Sequence, residues 1–391
     1  MRTQVGIVGG GPAGLLLSLL LQRAGIDCVV LESKSRDYLE SRVRAGVLEQ
    51  GTVALIDELG AGERLHREGM LDGRLDIRFD GGIIHIDLPV LTPGKIVTVY
   101  GQQEVVKDLI AARLARGGTI LFEAEASHIE GLTGDRPVIH FRHESQAKTL
   151  ECDIVAGCDG FHGICRAAIP EDLLTVYDRI FPFGWLGILA ESKPFPEMSY
   201  SNHERGFSLA SRRSPTLSRL YVQCATDEDL AGWSDRRIWD ELQVRLYAKG
   251  GELVEGPILQ RGVTPCRAYV AAPMRYGRMF LAGDAVHIVP PTGAKGLNLA
   301  AADVRVLSRA LIEFFRTGAT ERLDRYSDSC LKRVWKGVRY SNYMTSLLHR
   351  FEAHTPFERR VQQAELEYVA GSLAARTTIA ENYVGLPFEE D

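Results

Sequence analysis

Apolar and polar positions alternate with different periods along this chain, and the changes of period predict its elements. Residues 3–8 form a short β-rich run, 15–21 an apolar helix broken only by Ser18, and 26–31 a second strand. Residues 42–58 read as mainly helical. Leu75, Ile77 and Phe79 then alternate with polar residues up to Asp80-Gly81-Gly82, and Ile84, Ile86 and Leu88 alternate back, the pattern of a hairpin. Helical periodicity covers 102–116, and 119–123, 137–142 and 149–156 read as strands. Strands that follow a strand-helix-strand unit without helices between them predict an α/β domain elaborated with antiparallel sheet.

Residues 178–260 differ in character, with Phe, Tyr, Trp and Arg clustered among alternating segments such as Arg219-Leu220-Tyr221-Val222-Gln223. This predicts a separate antiparallel sheet with a helix near 239–246. From Gly296 the period turns helical again, with Ala300, Val304, Leu307, Leu311 and Phe314 on one stripe, and a second long helix is expected over 322–348. A chain of 391 residues exceeds one ordinary core. The expected units are 1–174, 175–266 and 267–391.

The most chemically specific element opens the chain. Gly9-Gly10-Gly11-Pro12-Ala13-Gly14 joins the first strand to the apolar helix, and Glu32 closes the second strand. Gly9 permits the tight turn, Gly11 lets a pyrophosphate approach the backbone, and Gly14 lets helix and strand pack closely. Glu32 stands where a carboxylate accepts hydrogen bonds from a ribose, which suits FAD or NAD and repels the extra phosphate of NADP. Two later elements favour FAD. Cys158-Asp159-Gly160 follows an apolar strand, and Gly283-Asp284 leads through Pro290-Pro291 to Gly293-Ala294-Lys295-Gly296-Leu297-Asn298, which opens a helix. Asp159 or Asp284 can bind a ribitol hydroxyl, and a helix N-terminus can set N–H groups and a positive dipole at a flavin edge.

Composition narrows the partners. A net charge of −5 with mixed signs gives no basic stripe for nucleic acid, and no apolar stretch is long enough for a membrane span. Seven scattered cysteines form no CxxC pair and no zinc spacing, so reduced thiols and no metal are expected. Met1 runs directly into the first strand, which leaves no room for a leader peptide and predicts a cytoplasmic protein.

Together the three nucleotide motifs resemble the set of the FAD-dependent aromatic hydroxylases, and the likeness continues through 42–51, Tyr100-Gly101-Gln102, 181–185 and 381–387. The resemblance implies a Rossmann-like FAD domain, an antiparallel-sheet substrate domain and a C-terminal helical region in a homodimer. It implies hydroxylation of 4-hydroxybenzoate to 3,4-dihydroxybenzoate with O2 and NAD(P)H through a flavin C4a-hydroperoxide. Position by position, Ser211, Arg213 and Tyr221 match the holders of the substrate carboxylate. Tyr200 matches the tyrosine at the substrate phenol, Tyr383 its relay partner, and the Pro291 carbonyl faces the same phenol. Gly9, Gly11, Gly14, Glu32, Arg42, Arg44, Gln102, Asp159, Asp284, Gly296, Leu297 and Asn298 match cofactor-binding positions, and Lys34, Tyr38, His162, Arg166 and Arg267 match positions that meet the nicotinamide donor. His287 reads as structural.

Two positions depart from the family pattern. Ser33-Lys34 replaces an Arg-Gln pair, which removes a phosphate fork and leaves Lys34 and Arg36 as point charges; the expectation is NADPH use with relaxed selectivity toward NADH. Asp72 stands near where a His ends the proton relay. Its unperturbed pKa lies far below that of His, so the relay ends in Asp72 or in water. A related hydroxylase acting on another hydroxybenzoate, a flavin-bound sensor and an NAD-dependent dehydrogenase remain alternatives.

Overall fold

Every strand-ending motif named above falls on one edge of a single sheet. The computed structural model describes residues 1–42, 46–247 and 253–388. Strand Arg2–Val8 lies between Cys28–Leu31 and Gln146–Gly157 and runs parallel to both; Thr119–Leu121 and Met279–Leu281 extend the parallel arrangement on either side. Helix Pro12–Arg23 buries Ala13 to Leu21 against this sheet, with helices Gln102–Ala115 and Gly296–Thr317 packed on it. Each fully buried leucine there contributes about 1.5–3 kcal/mol of transfer free energy. Parallel strands place their carboxyl ends together, so Gly9, Glu32 and Asp159 share one edge.

The second sheet has eight strands in the order His287–Ile288, Ile258–Ala272, Thr175–Ala190, Leu217–Cys224, Ser208–Ser214, Met198–Ser201, Arg74–Phe79 and Gly82–Asp87. Every pair is antiparallel except Met198–Ser201 beside Arg74–Phe79. The expected hairpin therefore forms where the alternation puts it, yet it joins the sheet of the aromatic-rich segment rather than the one beside it in sequence. Strand Ile258–Ala272 likewise runs across residue 266, and Met279–Leu281 returns to the first sheet.

Alternation sorts the two faces of this second sheet. On Leu217–Cys224 the residues Ser218, Leu220, Val222 and Cys224 are buried, and the three apolar ones join a core with Trp239 and Leu242 of helix Asp235–Arg245. Arg219 and Tyr221 are left on the other face. That face is covered by the long helix Glu321–Leu348 and the last helix, Leu373–Val384, in a core holding Trp185, Tyr200, Phe207, Tyr340, Met344 and Tyr383.

Between the sheets lies a small three-stranded sheet of Val47–Leu48, Val97–Val99 and Met70–Asp72. The mainly helical reading of 42–58 is thus corrected: Val47–Leu48 pairs as a strand, and among the described residues of this stretch the helix is Gln50–Glu58. Val47 and Leu48 are apolar neighbours whose backbone finds partners on Val97–Val99, and that tertiary pairing overrides local periodicity. Residues 43–45, with Arg44, lie outside the described residues.

Candidate functional site

The glycine turn has the shape an anion cradle needs. A Cβ on Gly14 would stand 2.0 Å from the Gly9 carbonyl oxygen, so only glycine lets helix and strand approach this closely, whereas a Cβ on Gly11 would meet nothing within 4 Å. Gly11 therefore faces open space at the N-terminus of helix Pro12–Arg23, where unpaired N–H groups and the helix dipole favour a diphosphate. The Glu32 carboxylate accepts from Gly10 N at 2.7 Å and Lys34 N at 2.8 Å, which fixes it at the strand end. Gln102 opens helix Gln102–Ala115. Arg42 is exposed, stacked 5.6 Å over the Tyr38 ring.

The two aspartates differ. One Asp159 oxygen accepts from Cys165 N at 2.9 Å and the other is buried without a partner, an open acceptor at the carboxyl edge. Burial pushes its pKa up against that backbone hydrogen bond. Asp284 is exposed. Beside it His287 is buried with Nε2 2.6 Å from Asp303, which also accepts from Gly283 N at 3.0 Å. Burial lowers the histidine pKa, but the Asp303 carboxylate outweighs it and holds it above the usual value. His287 thus pins the Gly283-Asp284 turn.

Asn298 spends its whole side chain on the protein. Its amide nitrogen donates to Val47 O and Ala294 O, and its oxygen accepts from Glu49 N and Thr52 Oγ1. What remains for a flavin at this helix end is backbone from Gly296 and Leu297. A Cβ on Gly296 would meet nothing within 4 Å, again leaving room for a planar ring system. Lys295 is buried with Nζ 2.5 Å from Glu49 and 3.3 Å from the Tyr383 carbonyl. Burial lowers its pKa, opposed by Glu49. The open acceptor on Asp159, the space at Gly11 and the glycine-opened helix fit FAD.

Next to this lies a second constellation, on the sheet face that alternation leaves open. Arg213 is directed into a buried region, and burial lowers its pKa against the effect of the Tyr221 hydroxyl. Its Nη1 donates to Arg212 O at 3.1 Å while Nε has no partner. Arg219 donates to the Tyr221 hydroxyl at 3.2 Å and stacks 5.1 Å over that ring. Among the described residues, neither Arg213 nor Arg219 has a carboxylate within 4.0 Å. A partly buried guanidinium whose Nε has no acceptor is costly, and an incoming carboxylate supplies the missing partner. Ser211 donates to Arg219 O at 3.1 Å and must rotate to serve a ligand, whereas Tyr221 accepts and keeps its own hydrogen free.

Tyr200 lies further along the same face, 2 % exposed. Its hydroxyl donates to Thr292 O at 3.2 Å, so the carbonyl it meets belongs to Thr292, one residue after Pro291. Burial raises its pKa, and Tyr383 beside it pulls the other way. The Tyr383 hydroxyl is buried without a hydrogen-bond partner among the described residues.

Sequence reasoning missed the support beneath Thr292. Thr292 Oγ1 lies 3.0 Å from Thr345 Oγ1, and His349 Nδ1 lies 3.0 Å from Thr345 O. Trp185 Nε1 donates to His349 Nε2 at 2.7 Å, which fixes the proton on Nδ1. Stacked with Phe183 and Phe207 at 4.6 and 4.2 Å, His349 is held neutral by burial, its pKa down to about 3. No periodicity signals such a column, because its members come from four separated segments.

The positions expected to meet a nicotinamide form two groups. Lys34 and Tyr38 are exposed beside Glu32. Across strand Arg2–Val8, Arg166 and Arg267 both stack on Phe161 and Tyr269, with centroid distances of 4.5–5.3 Å, and His162 is exposed edge-on to Phe161. Arg267 also forks onto Asp178 at 2.7 and 2.5 Å, so a phosphate there must compete with a carboxylate. No helix among the described residues is long and apolar enough to cross a membrane.

The comparisons with known proteins agree with this geometry. A family model described as FAD binding domain matches residues 2–341. The p-hydroxybenzoate hydroxylase of Acinetobacter baylyi is 48% identical over 391 residues, all of this chain and 96% of that protein. Para-nitrophenol 4-monooxygenase of a Pseudomonas species is 28% identical over 344 residues, 82% of this chain and 81% of that one. Among solved structures, p-nitrophenol 4-monooxygenase from Pseudomonas putida superposes with a TM-score of 0.85 at 22% identity, covering 98% of this chain and 99% of its own, which shows the shared fold.

Proposed function

The chain belongs to the FAD-binding-domain family of FAD-dependent monooxygenases, and we propose that its substrate is 4-hydroxybenzoate, hydroxylated to 3,4-dihydroxybenzoate. The observation that carries this reading is the partly buried Arg213 guanidinium, whose Nε is buried and unpaired, on the sheet face that also presents Tyr221 and Tyr200. It supplies a cation for one end of a flat acid and hydroxyls for the other.

Arg213 grips the carboxylate, Tyr221 donates its free hydrogen to it, and Ser211 adds a second neutral contact after turning from Arg219 O. Tyr200 and the backbone carbonyls of Pro291 and Thr292 address the phenol at the far end. The Gly11 turn, Glu32, Asp159 and the helix opened by Gly296 would hold FAD, which would supply the redox chemistry between a nicotinamide donor and O2. The protein prepares the substrate ring for that chemistry. A phenolate is a far better carbon nucleophile than a phenol, so Tyr200 and Tyr383 carry the proton away and stabilise the negative charge left behind. The stacked Trp185, Phe207 and His349 wall keeps water out and holds Thr292 in register.

With one strand-helix-strand nucleotide unit assigned to FAD, the nicotinamide donor meets the surface groups Lys34, Tyr38, His162, Arg166 and Arg267. NADPH and NADH both serve, because Lys34 offers a point charge rather than a fork. A homodimer in the cytoplasm belongs to the same reading. Substrate-stimulated NADPH oxidation tests it: adding 4-hydroxybenzoate accelerates oxidation and yields the dihydroxy acid. A hydroxylase for another ring acid would instead respond to a different hydroxybenzoate in the same assay, and a sensor would respond to none.

A further inference from the structure

Helix Gly296–Thr317 ends at Gly318, whose φ of 79° lies in the left-handed region, and the chain turns back into helix Glu321–Leu348. Spacings of three, four and seven residues then bring Arg305 and Arg309 of the first helix, and Arg322, Arg325, Lys332 and Arg333 of the second, to one cavity of about 550 Å³. Among the described residues, none of those assigned above to FAD, the substrate or the nicotinamide donor lines it.

These cations fall into two sets. Arg305 pairs with Glu58 at 2.7 Å and Arg322 with Glu313 at 2.7 Å, while Arg333 donates to Leu386 O and Pro387 O at 2.8 and 2.7 Å. Arg309, Arg325 and Lys332 have no carboxylate within 4.0 Å among the described residues. The acids of the cavity do little to balance them. Asp303 is buried and serves His287 and Gly283 N, and Glu313 serves Arg322, which leaves Glu321 in the first turn of its helix. Like charges around a concave wall repel one another and focus a positive field into the space between them. An anion with several charges relieves that repulsion.

The rest of the wall is apolar. Ala302, Val306 and Phe388 line it, and the Arg333 guanidinium lies 5.1 Å over the Phe388 ring. The volume is that of a small-molecule site, and a bare inorganic anion would leave this apolar surface uncovered. A flat ring covers it, and the planar guanidinium groups match carboxylates at its edge.

We propose that this cavity is a binding site for an aromatic polyanion, a flat ring bearing at least two anionic groups. Arg309, Arg325 and Lys332 meet the charges, and the ring lies against Val306 and Phe388. Binding is non-covalent, and the site is independent of the substrate pocket around Arg213.

The test is isothermal titration calorimetry of the FAD-loaded protein with benzene-1,3,5-tricarboxylate at about 0.15 M salt. One site per chain with a Kd below about 1 mM is expected, and the double variant Arg325→Gln with Lys332→Gln weakens it at least about tenfold. Both side chains are exposed, so their loss does not open the core. Arg213→Met keeps the affinity within about twofold, and inorganic pyrophosphate, which has charge without a ring, binds at least about fivefold more weakly. The proposal is overturned if the parent shows no binding up to about 10 mM, if the double variant binds as the parent does, or if pyrophosphate binds equally well. Loss of binding in Arg213→Met would place the probe in the substrate pocket and overturn it too. Binding that appears only after residues 389–391 are removed would make the chain's own acidic Glu389-Glu390-Asp391 the occupant, against the proposal.

Discussion

Arg213 is partly buried and Asp72 fully so, and the cost of each charge points to what it does. Burial without an anion makes Arg213 a liability to the fold, so Arg213→Met should leave the melting temperature unchanged or higher while raising the Kd for 4-hydroxybenzoate about 100-fold or more. Calorimetry and a binding titration on the same sample separate the two effects; unchanged Kd would remove Arg213 from the substrate site. For Asp72 the sign follows from its pKa, which burial pushes up to about 7. The folded state binds the proton more tightly than the unfolded chain, so its stabilising contribution is full below the ordinary carboxylate pKa near ~4 and is lost as pH rises through about 7. Asp72→Asn should therefore gain melting temperature over the parent as pH climbs through that window. A constant difference between the two proteins would contradict the raised pKa.

At this scale the sequence was legible where a residue type carries its own geometry, as with Gly9 at positive φ and Gly14 against the Gly9 carbonyl. It was not legible where the role depends on who else arrives. Asn298 looks like a flavin contact from its motif, yet its side chain is consumed by Val47, Glu49, Thr52 and Ala294. His349 and Thr345 carry no motif at all, since their partners Trp185 and Thr292 are distant in sequence.

At the scale of elements, the period-2 alternation over 219–223 formed a strand of an antiparallel sheet as read, and the hairpin turn at Asp80-Gly81-Gly82 formed as read. The partner sheet of that hairpin was not readable, because strand pairing across more than a hundred residues is set by tertiary packing. The turn before helix Pro12–Arg23 gives a prediction of the same scale. Gly14→Ala drives a methyl group into the Gly9 carbonyl, 2.0 Å away, and should both destabilise the apoprotein and cost FAD. Gly11→Ala has empty space around it, so the apoprotein should melt as the parent does while FAD affinity falls by at least about tenfold. Thermal melts with and without FAD distinguish them. Equal losses of apoprotein stability would show that the open space at Gly11 is not the diphosphate site.

Across the whole molecule, two sheets meet so that the carboxyl edge of one opens on the aromatic face of the other. The long helix Glu321–Leu348 contributes Leu323, Tyr326 and Cys330 to the core of the first sheet and Tyr340 and Met344 to that of the second, so it spans both. Donor selectivity belongs to this scale because the candidate contacts sit on two separate surface groups. Comparable kcat/KM for NADPH and NADH is expected from Lys34 standing where a fork is absent, and a thousandfold preference for NADPH would refute it. Most direct for the central claim is mass spectrometry of the product formed from 4-hydroxybenzoate and NADPH under 18O2. One labelled oxygen in 3,4-dihydroxybenzoate is the predicted result; no dihydroxy acid, or an unlabelled one, would contradict the account.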